Sequence, residues 1–400
     1  MIVAIDTNCI LPGKVGGIEN YVLGLVAALK AHAPSVSRLV LVTRLENRDL
    51  FEPFADDRCE VMLVERPHYQ GKRVADWAAL SAQDAQAGAR LLAEYQRTKV
   101  AMIHERGANV VHFPGNAINP LDIDLPAVLN LHDLQHRYFP QYFTPAELAN
   151  RDQWWAAAAR RADALIATTE CVAGDLQRHL RVDPSRIIVT HPPVDSTFRR
   201  WPTSGELRDV RDRFALAQTT FLYPAAVWPH KNHERLIRAF VTAGIPESQL
   251  VLTGGGQDGS TLPELTRDLG AESTVRFLGR VSADELLCLY HLATATIVPS
   301  EFEASSYPVM EAMACGCPVA SSNVTALPEL VGDAGLLFDP HDEDAMADAM
   351  RQLATDDELW CALSAAGRRR VREFTAERFA EGVVTAYRAA ISSREQRQAA

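Results

Sequence analysis

Apolar positions in this chain fall into short runs rich in Val, Ile and Leu. These alternate with longer stretches in which apolar residues recur about once per helical turn. Strands buried on both faces read as continuous apolar runs, and half-buried helices read as one-sided stripes. Alternation of the two predicts parallel β-sheets covered by helices, an α/β class. In the first half the strand-like runs occupy residues 2–6, 38–43, 60–64, 109–113, 127–132, 163–168 and 186–190. A second series starts at Phe221-Leu222-Tyr223 and continues through Val251-Leu252-Thr253, Val275 to Val281 and Ala295 to Val298. Helical patterns cover Tyr21 to Lys30, residues 70–106 as one long stretch, Glu234 to Phe240, and a closing amphipathic segment to about Ala390. The final stretch, Arg394 to Ala400, lacks a stripe and is expected to be disordered.

Four hundred residues exceed what one hydrophobic core organises, so two domains are expected. His191-Pro192-Pro193 stiffens the chain and forbids helix, which puts the linker at about residues 195–215. The composition, 47% apolar and 23% charged, is that of a soluble globular protein. No apolar run approaches the ~18 residues of a membrane span. The opening Met1-Ile2-Val3-Ala4-Ile5-Asp6 reads as a strand rather than a signal peptide. Seven scattered cysteines suggest reduced thiols in a cytoplasm. Cys315 and Cys317 are too close together for the usual zinc pair and read as packing residues. A net charge of −11 argues against nucleic acid as a partner. Residues 1–200 carry 22 basic against 23 acidic side chains, and residues 201–400 carry 18 against 28. The first half is therefore the one suited to an anionic partner or membrane surface.

The chemistry centres on Pro299 to Val319. Pro308 suits an early helical position, Gly316 the residue just past the helix, and Pro318 forbids continuation. Glu303 then lies in the loop before the helix and Glu311 about one turn inside it. The backbone N–H groups of Ser305, Ser306 and Tyr307 fall at the helix mouth, where unpaired donors and the dipole favour an anion. A phosphate flanked by two acidic hydrogen-bond acceptors describes a nucleotide-sugar site. Lys231 opens another helix, a position unfavourable for a cation unless an anion such as a diphosphate lies between. Pro12 to Asn20 form a glycine-rich loop feeding a helix, in which Gly16 and Gly17 allow close backbone approach to a phosphate or sugar. His132 and Asp133 close an apolar run, where open α/β sheets gather functional groups. Asp122-Ile123-Asp124, between two prolines, reads as turn chemistry with no metal.

The central stretch resembles the donor-site segment of glycosyltransferase family 4, retaining enzymes of the GT-B fold. That family reads Pro-Ser-x-x-Glu-Gly-Phe-Gly-x-Pro-x-x-Glu-Ala-x-Ala-x-Gly-x-Pro-Val. The chain matches at Pro299, Ser300, Glu303, Pro308, Glu311, Ala312, Ala314, Gly316, Pro318 and Val319, and departs at Ala304-Ser305-Ser306. Ala226 stands where many members carry an arginine, which makes His230 a further candidate for the phosphate.

The resemblance implies two Rossmann-like domains, 1–198 on the acceptor side and 199–375 on the donor side, with a nucleoside diphosphate sugar in the cleft between them. A helix at 376–392 would cross back to the first domain. Lys231 and the amides of Ser306 and Tyr307 would hold the diphosphate, Glu311 the ribose, and Glu303 the transferred sugar. Val281 would receive the base through its backbone, and His132 would face the transferred sugar. No cofactor or metal is expected. The implied reaction moves a hexose such as mannose or glucose to a hydroxyl of a saccharide or lipid-linked saccharide. Such a chain is expected in the cytoplasm, with peripheral association at the inner membrane face. The competing readings are a non-catalytic nucleotide-sugar-binding protein and another GT-B enzyme such as an epimerase.

Overall fold

The computed structural model describes residues 1–13, 16–256 and 260–399. It divides the chain into two compact units. One comprises residues 1–168, 172–192 and the chain from Ala376 onward; the other comprises 169–171 and 193–375.

The first unit is built on seven parallel strands: β1 (Ile2–Asp6), β2 (Arg38–Thr43), β3 (Cys59–Leu63), β4 (Val110–Phe113), β5 (Ala127–Asn130), β6 (Ala164–Ala167) and β7 (Ile187–Val189). Their order is β3-β2-β1-β4-β5-β6-β7. Val3 pairs with Leu39 on one side and Val110 on the other, so β1 lies where the strand order reverses. Loops leaving neighbouring strands at such a point diverge and open a crevice at the carboxyl edge. Helix α1 (Gly17–His32) packs Tyr21, Val22, Leu25 and Leu29 into the core of this unit.

The second unit repeats the plan with β8 (Thr219–Pro224), β9 (Ser248–Thr253), β10 (Val275–Gly279), β11 (Ala295–Val298), β12 (Val319–Ser322) and β13 (Gly335–Phe338). Its order is β10-β9-β8-β11-β12-β13, all parallel. Helices α2 (His233–Ala243), α3 (Ala283–Leu292) and α4 (Tyr307–Cys315) cover it. It has its own core, from Phe221 and Leu250 to Met346 and Phe374. The α/β architecture expected from the apolar runs is present in both halves. The run at 127–132 leaves the ladder after Asn130, which puts His132 beyond the strand.

Two expectations are corrected. Residues 70–106 do not form one long helix. His68–Tyr69 and Lys72–Arg73 pair as an antiparallel hairpin, and helices Trp77–Gln83 and Ala85–Glu105 follow. Gln70 and Gly71 both adopt positive φ, 51° and 77°, as a two-residue hairpin turn requires. Asp84 ends the first helix, and its carboxylate caps the second through Ala87 N–H at 2.9 Å. The tail is also ordered, because helix α5 (Ala376–Ala399) runs on past Ala390. Arg394 donates to the Asp124 carbonyl at 3.2 Å and Arg397 pairs with Asp163, whose side chain is fully buried. The helix belongs to the first unit, where Phe379, Val383, Tyr387 and Ala390 join the core around α1. Among the described residues no helix is long and apolar enough to cross a membrane.

Candidate active site

Three backbone segments meet at the carboxyl edge of the second sheet. Gly254, at φ 138°, follows β9 so closely against the loop after β8 that a Cβ there would lie 2.4 Å from the Ala225 carbonyl oxygen. Its N–H donates to Gly279 O at 2.8 Å, which joins the end of β9 to the end of β10. The loop after β8 continues through a short 3-10 turn, Pro229–Lys231, into α2. Asn232 sits between them in the left-handed region at φ 60°, which asparagine tolerates better than most residues. Its buried amide donates to Pro299 O at 3.0 Å and Pro340 O at 2.8 Å, fixing the turn to the end of β11.

That anchoring aims Lys231 at the loop before α4. Lys231 Nζ donates to Glu303 Oε1 at 2.7 Å, although the two residues are 72 positions apart. Ser300 Oγ donates to the same oxygen at 2.7 Å. The buried Tyr223 hydroxyl lies 2.9 Å from Ser300 Oγ and donates to the Lys231 carbonyl at 3.1 Å. Burial and the Glu303 charge push the Tyr223 phenol well above its ordinary value. The Glu303 N–H donates to Thr325 Oγ1 at 3.0 Å. Lysine and carboxylate are thus held as one unit.

Ser306 is the N-cap of α4, Pro308 lies in its first turn, and Gly316 closes it at φ 75°. The amides at the mouth have no intrahelical acceptor. Ser306 is 1% exposed, and neither its Oγ nor that of Ser305 has a hydrogen-bond partner among the described residues. Glu311, the fifth residue of α4, is buried, and Tyr290 of α3 donates to its Oε2 at 2.9 Å. Desolvation raises the Glu311 carboxyl from 4.5 to about 7 against the lowering effect of the Tyr290 bond. His230 has its imidazole pushed down to about 3 by burial and the adjacent Lys231 charge. A neutral ring offers hydrogen bonds rather than a second cation. Val281 lies just after β10, beside the capping box of Ser282 and Glu285 that opens α3.

The remaining candidates lie in the first unit. Gly16, at φ 50°, is the N-cap of α1 and Gly17 its first residue; a Cβ on either would meet nothing within 4 Å. Lys14 and Val15 of the same loop lie outside the described residues. His132 is held through its backbone N–H to Asn116 Oδ1 (2.8 Å) and through Nε2 to the Pro114 carbonyl (2.7 Å). A carbonyl only accepts, so Nε2 carries the hydrogen and Nδ1 is the lone-pair nitrogen. Burial lowers the tendency of this ring to protonate. Asp124, of the Asp122–Asp124 pair, accepts from His104 Nε2 at 2.8 Å. Among the described residues no group of three or more His, Cys, Asp or Glu is placed to hold a metal ion.

Comparison with known proteins gives the family. Residues 15–198 match the profile described as Glycosyltransferase Family 4, and residues 210–370 match Glycosyl transferases group 1. The O-antigen chain mannosyltransferase B of Escherichia coli is 30% identical over 268 residues, which cover 66% of this chain and 70% of that protein. This chain is a family 4 glycosyltransferase. A D-inositol 3-phosphate glycosyltransferase of Rhodococcus jostii (strain RHA1) is 34% identical over 241 residues, covering 57% of this chain and 53% of its own length. Among solved structures, Alr3699/HepE of Anabaena, in complex with UDP and glucose, superposes with a TM-score of 0.73 at 18% identity. The match covers 96% of this chain and 98% of that one. At that identity the likeness establishes the GT-B fold.

Within the family 4 fold, Lys231, Glu303, Ser306, Tyr307 and Glu311 occupy one edge of the second unit, while Gly16, Gly17 and His132 belong to the first. Sequence reasoning did not nominate Tyr290, Tyr223 or Asn232. Tyrosines in apolar segments read as core residues, and Asn232 carried only the weak signal of an asparagine ahead of a helix.

Proposed function

We propose that this glycosyltransferase transfers a hexose, with mannose the first candidate, from a nucleoside diphosphate sugar to an acceptor hydroxyl with retention of anomeric configuration. The observation that carries the reading is the Lys231–Glu303 pair beside the open mouth of α4, with buried Glu311 one turn inside. Lys231 and the amides of Ser306 and Tyr307 stabilise the negative charge that develops on the departing diphosphate. Glu311 accepts from the ribose hydroxyls and Glu303 from hydroxyls of the transferred sugar. Val281 meets the base through its backbone, and Gly16 and Gly17 let the first unit's loop approach phosphate or sugar. Nδ1 of His132 accepts from a sugar hydroxyl, since Nε2 is committed to Pro114. The bond from the anomeric carbon to the phosphate oxygen breaks and one to the acceptor oxygen forms on the same face. The acceptor's proton passes to the leaving phosphate oxygen, so no protein base and no metal are used.

The mannosyltransferase relative supports a mannosyl donor and a saccharide acceptor. The inositol 3-phosphate relatives keep other donors and acceptors in play as competitors. A thermal-shift screen with nucleoside diphosphates and their sugars tests the reading. A ligand at about 100 times its Kd stabilises by about 2.7 kcal/mol through mass action. The matching donor must also release nucleoside diphosphate when an acceptor is added, and Lys231→Ala and Glu311→Ala must each suppress that release. Failure of every nucleoside diphosphate to raise Tm, or full transfer by both variants, refutes the assignment.

A further inference from the structure

A chain of buried polar side chains crosses the core of the first unit and is not used by the reaction as written above. Tyr387 of α5, His112 of β4, Asn130 of β5 and Tyr21 of α1 are each 3% exposed or less. Their contacts are Tyr387 Oη to His112 Nδ1 at 2.9 Å, His112 Nε2 to Asn130 Oδ1 at 2.6 Å, and Asn130 Nδ2 to Tyr21 Oη at 2.8 Å. The directions follow from one backbone atom. Asn130 Nδ2 also reaches the Ile166 carbonyl at 3.4 Å, which only accepts, so the amide nitrogen faces Ile166 and Tyr21. Oδ1 therefore faces His112 and accepts from Nε2–H. Nδ1 of His112 is then an acceptor, and Tyr387 donates to it. Full burial depresses the His112 imidazole to about 4, consistent with this neutral tautomer. Every link has one donor and one acceptor.

The chain ends against the candidate histidine. The Tyr21 ring stands edge-on to His132 with centroids 4.9 Å apart and planes at 82°, and edge-on to Phe379 of α5 at 5.5 Å. His132 follows Asn130 by two residues, just past the end of β5. Hydrophobic burial alone would seat a phenylalanine at position 21 equally well. A buried polar chain whose members are all satisfied instead fixes one arrangement of its groups.

We propose that Asn130 is a positioning residue for the glycosyl transfer: it holds the Tyr21 hydroxyl, so that the Tyr21 ring fixes the imidazole of His132. The same chain makes Tyr387, on the C-terminal helix, part of that support. The inference rests on the reading of His132 as a group facing the sugar.

The test is epistasis. Release of nucleoside diphosphate from GDP-mannose and from UDP-glucose is measured for wild type, Asn130→Leu, His132→Ala and the double variant, with Tyr21→Phe as a milder second probe. Asn130→Leu is expected to lower kcat about tenfold with KM for the donor within about twofold, as a sub-ångström misplacement would. In the His132→Ala background the same change lowers kcat less than about twofold, because its target is gone. Tyr21→Phe shows a smaller loss with the same epistasis. Equal fold-losses with and without His132, or an unaltered kcat in both Asn130→Leu and Tyr21→Phe, overturn the proposal. A second arm needs no turnover: the ring nitrogen signals of His132, assigned by their absence in His132→Ala, shift in the Asn130 and Tyr21 variants. Unchanged signals overturn the proposal even if neither donor is consumed. Failure of both donors in wild type, with the signals shifted, counts against the donor reading alone.

Discussion

Glu311→Gln should make the unliganded enzyme more stable and its nucleotide binding worse, with a pH signature that identifies the cause. Burial holds the Glu311 carboxyl at about 7, against 4.5 for an ordinary glutamate. Between those values the folded protein keeps a proton that the unfolded chain has released. The folded state then binds more protons than the unfolded one, and stability falls as pH rises. At roughly 1.4 kcal/mol per pH unit, the interval comes to about 3 kcal/mol lost by neutral pH and above. Glutamine has the same shape and keeps an acceptor for the Tyr290 hydroxyl, but it cannot ionise. The variant should match wild type near pH 4.5, gain steadily up to pH 7, and hold a constant advantage beyond that. For a unit of this size the gain amounts to roughly 6–12 °C in Tm. The assay is Tm against pH for both proteins without ligand, followed by calorimetric titration of nucleoside diphosphate at pH 8. Under the proposed function Glu311 is the acceptor for the ribose hydroxyls, so losing its ionised form should lower affinity at least about tenfold. A stability difference as large at pH 5 as at pH 8, or a variant less stable at pH 8, would refute the reasoning.

Other outcomes follow from the same geometry. Tyr290→Phe removes the hydrogen bond that restrains the Glu311 carboxyl, so the midpoint of the pH dependence of nucleoside diphosphate binding should move up by about one unit or more. Titration across pH 6–9 reads it. Glu303→Gln frees the Lys231 ammonium from its carboxylate partner; calorimetry should find nucleoside diphosphate binding about fivefold tighter even as transfer slows. Gly254→Ala places a Cβ against the Ala225 carbonyl at a positive φ, and denaturant unfolding should show a loss of about 2–3 kcal/mol. Truncation after Ser392 removes Arg394 and Arg397. It should cost about 1 kcal/mol, modest because Arg397 is half exposed, and leave nucleotide affinity unchanged in the same titrations.

Much of the architecture was legible because its causes are local. Apolar runs without alternation predict parallel strands, and the structure pairs them that way in both sheets. Pro308 and Gly316 marked the start and end of the helix carrying Glu311, and the structure has it run from Tyr307 to Cys315. The misreadings have equally physical origins. Within 70–106 the break depends on two left-handed residues, Gln70 and Gly71, and on a single capping residue, Asp84. None of these disturbs a helical stripe enough to show. The tail lacks an apolar stripe from Arg394 onward, yet it is helical because two arginines reach Asp124 and Asp163, far away in sequence. The site divides in the same way. Lys231 and Glu303 were each identifiable from local context, but their contact at 2.7 Å depends on how β8 and β11 lie side by side. A tyrosine differs from a phenylalanine by one oxygen, and only the packed fold shows that Tyr290 spends it on Glu311 and Tyr21 on Asn130.

The polar groups buried beside Glu311 and beside His132 differ in charge, and the difference bears on how the enzyme responds to pH. The second unit buries a carboxyl at Glu311, held at about 7, so its protonation changes in the physiological range. The first unit uses neutral groups to hold Tyr21. Asn130 and the tyrosines carry no charge at neutral pH, and His112 is held at about 4. His132 is likewise biased toward its neutral form by burial. A fully paired neutral network keeps one geometry across pH 6–8, whereas an acceptor near its midpoint changes strength there. Any pH dependence of this enzyme near neutrality that arises from these groups therefore belongs to the protonation of Glu311 and not to the setting of His132.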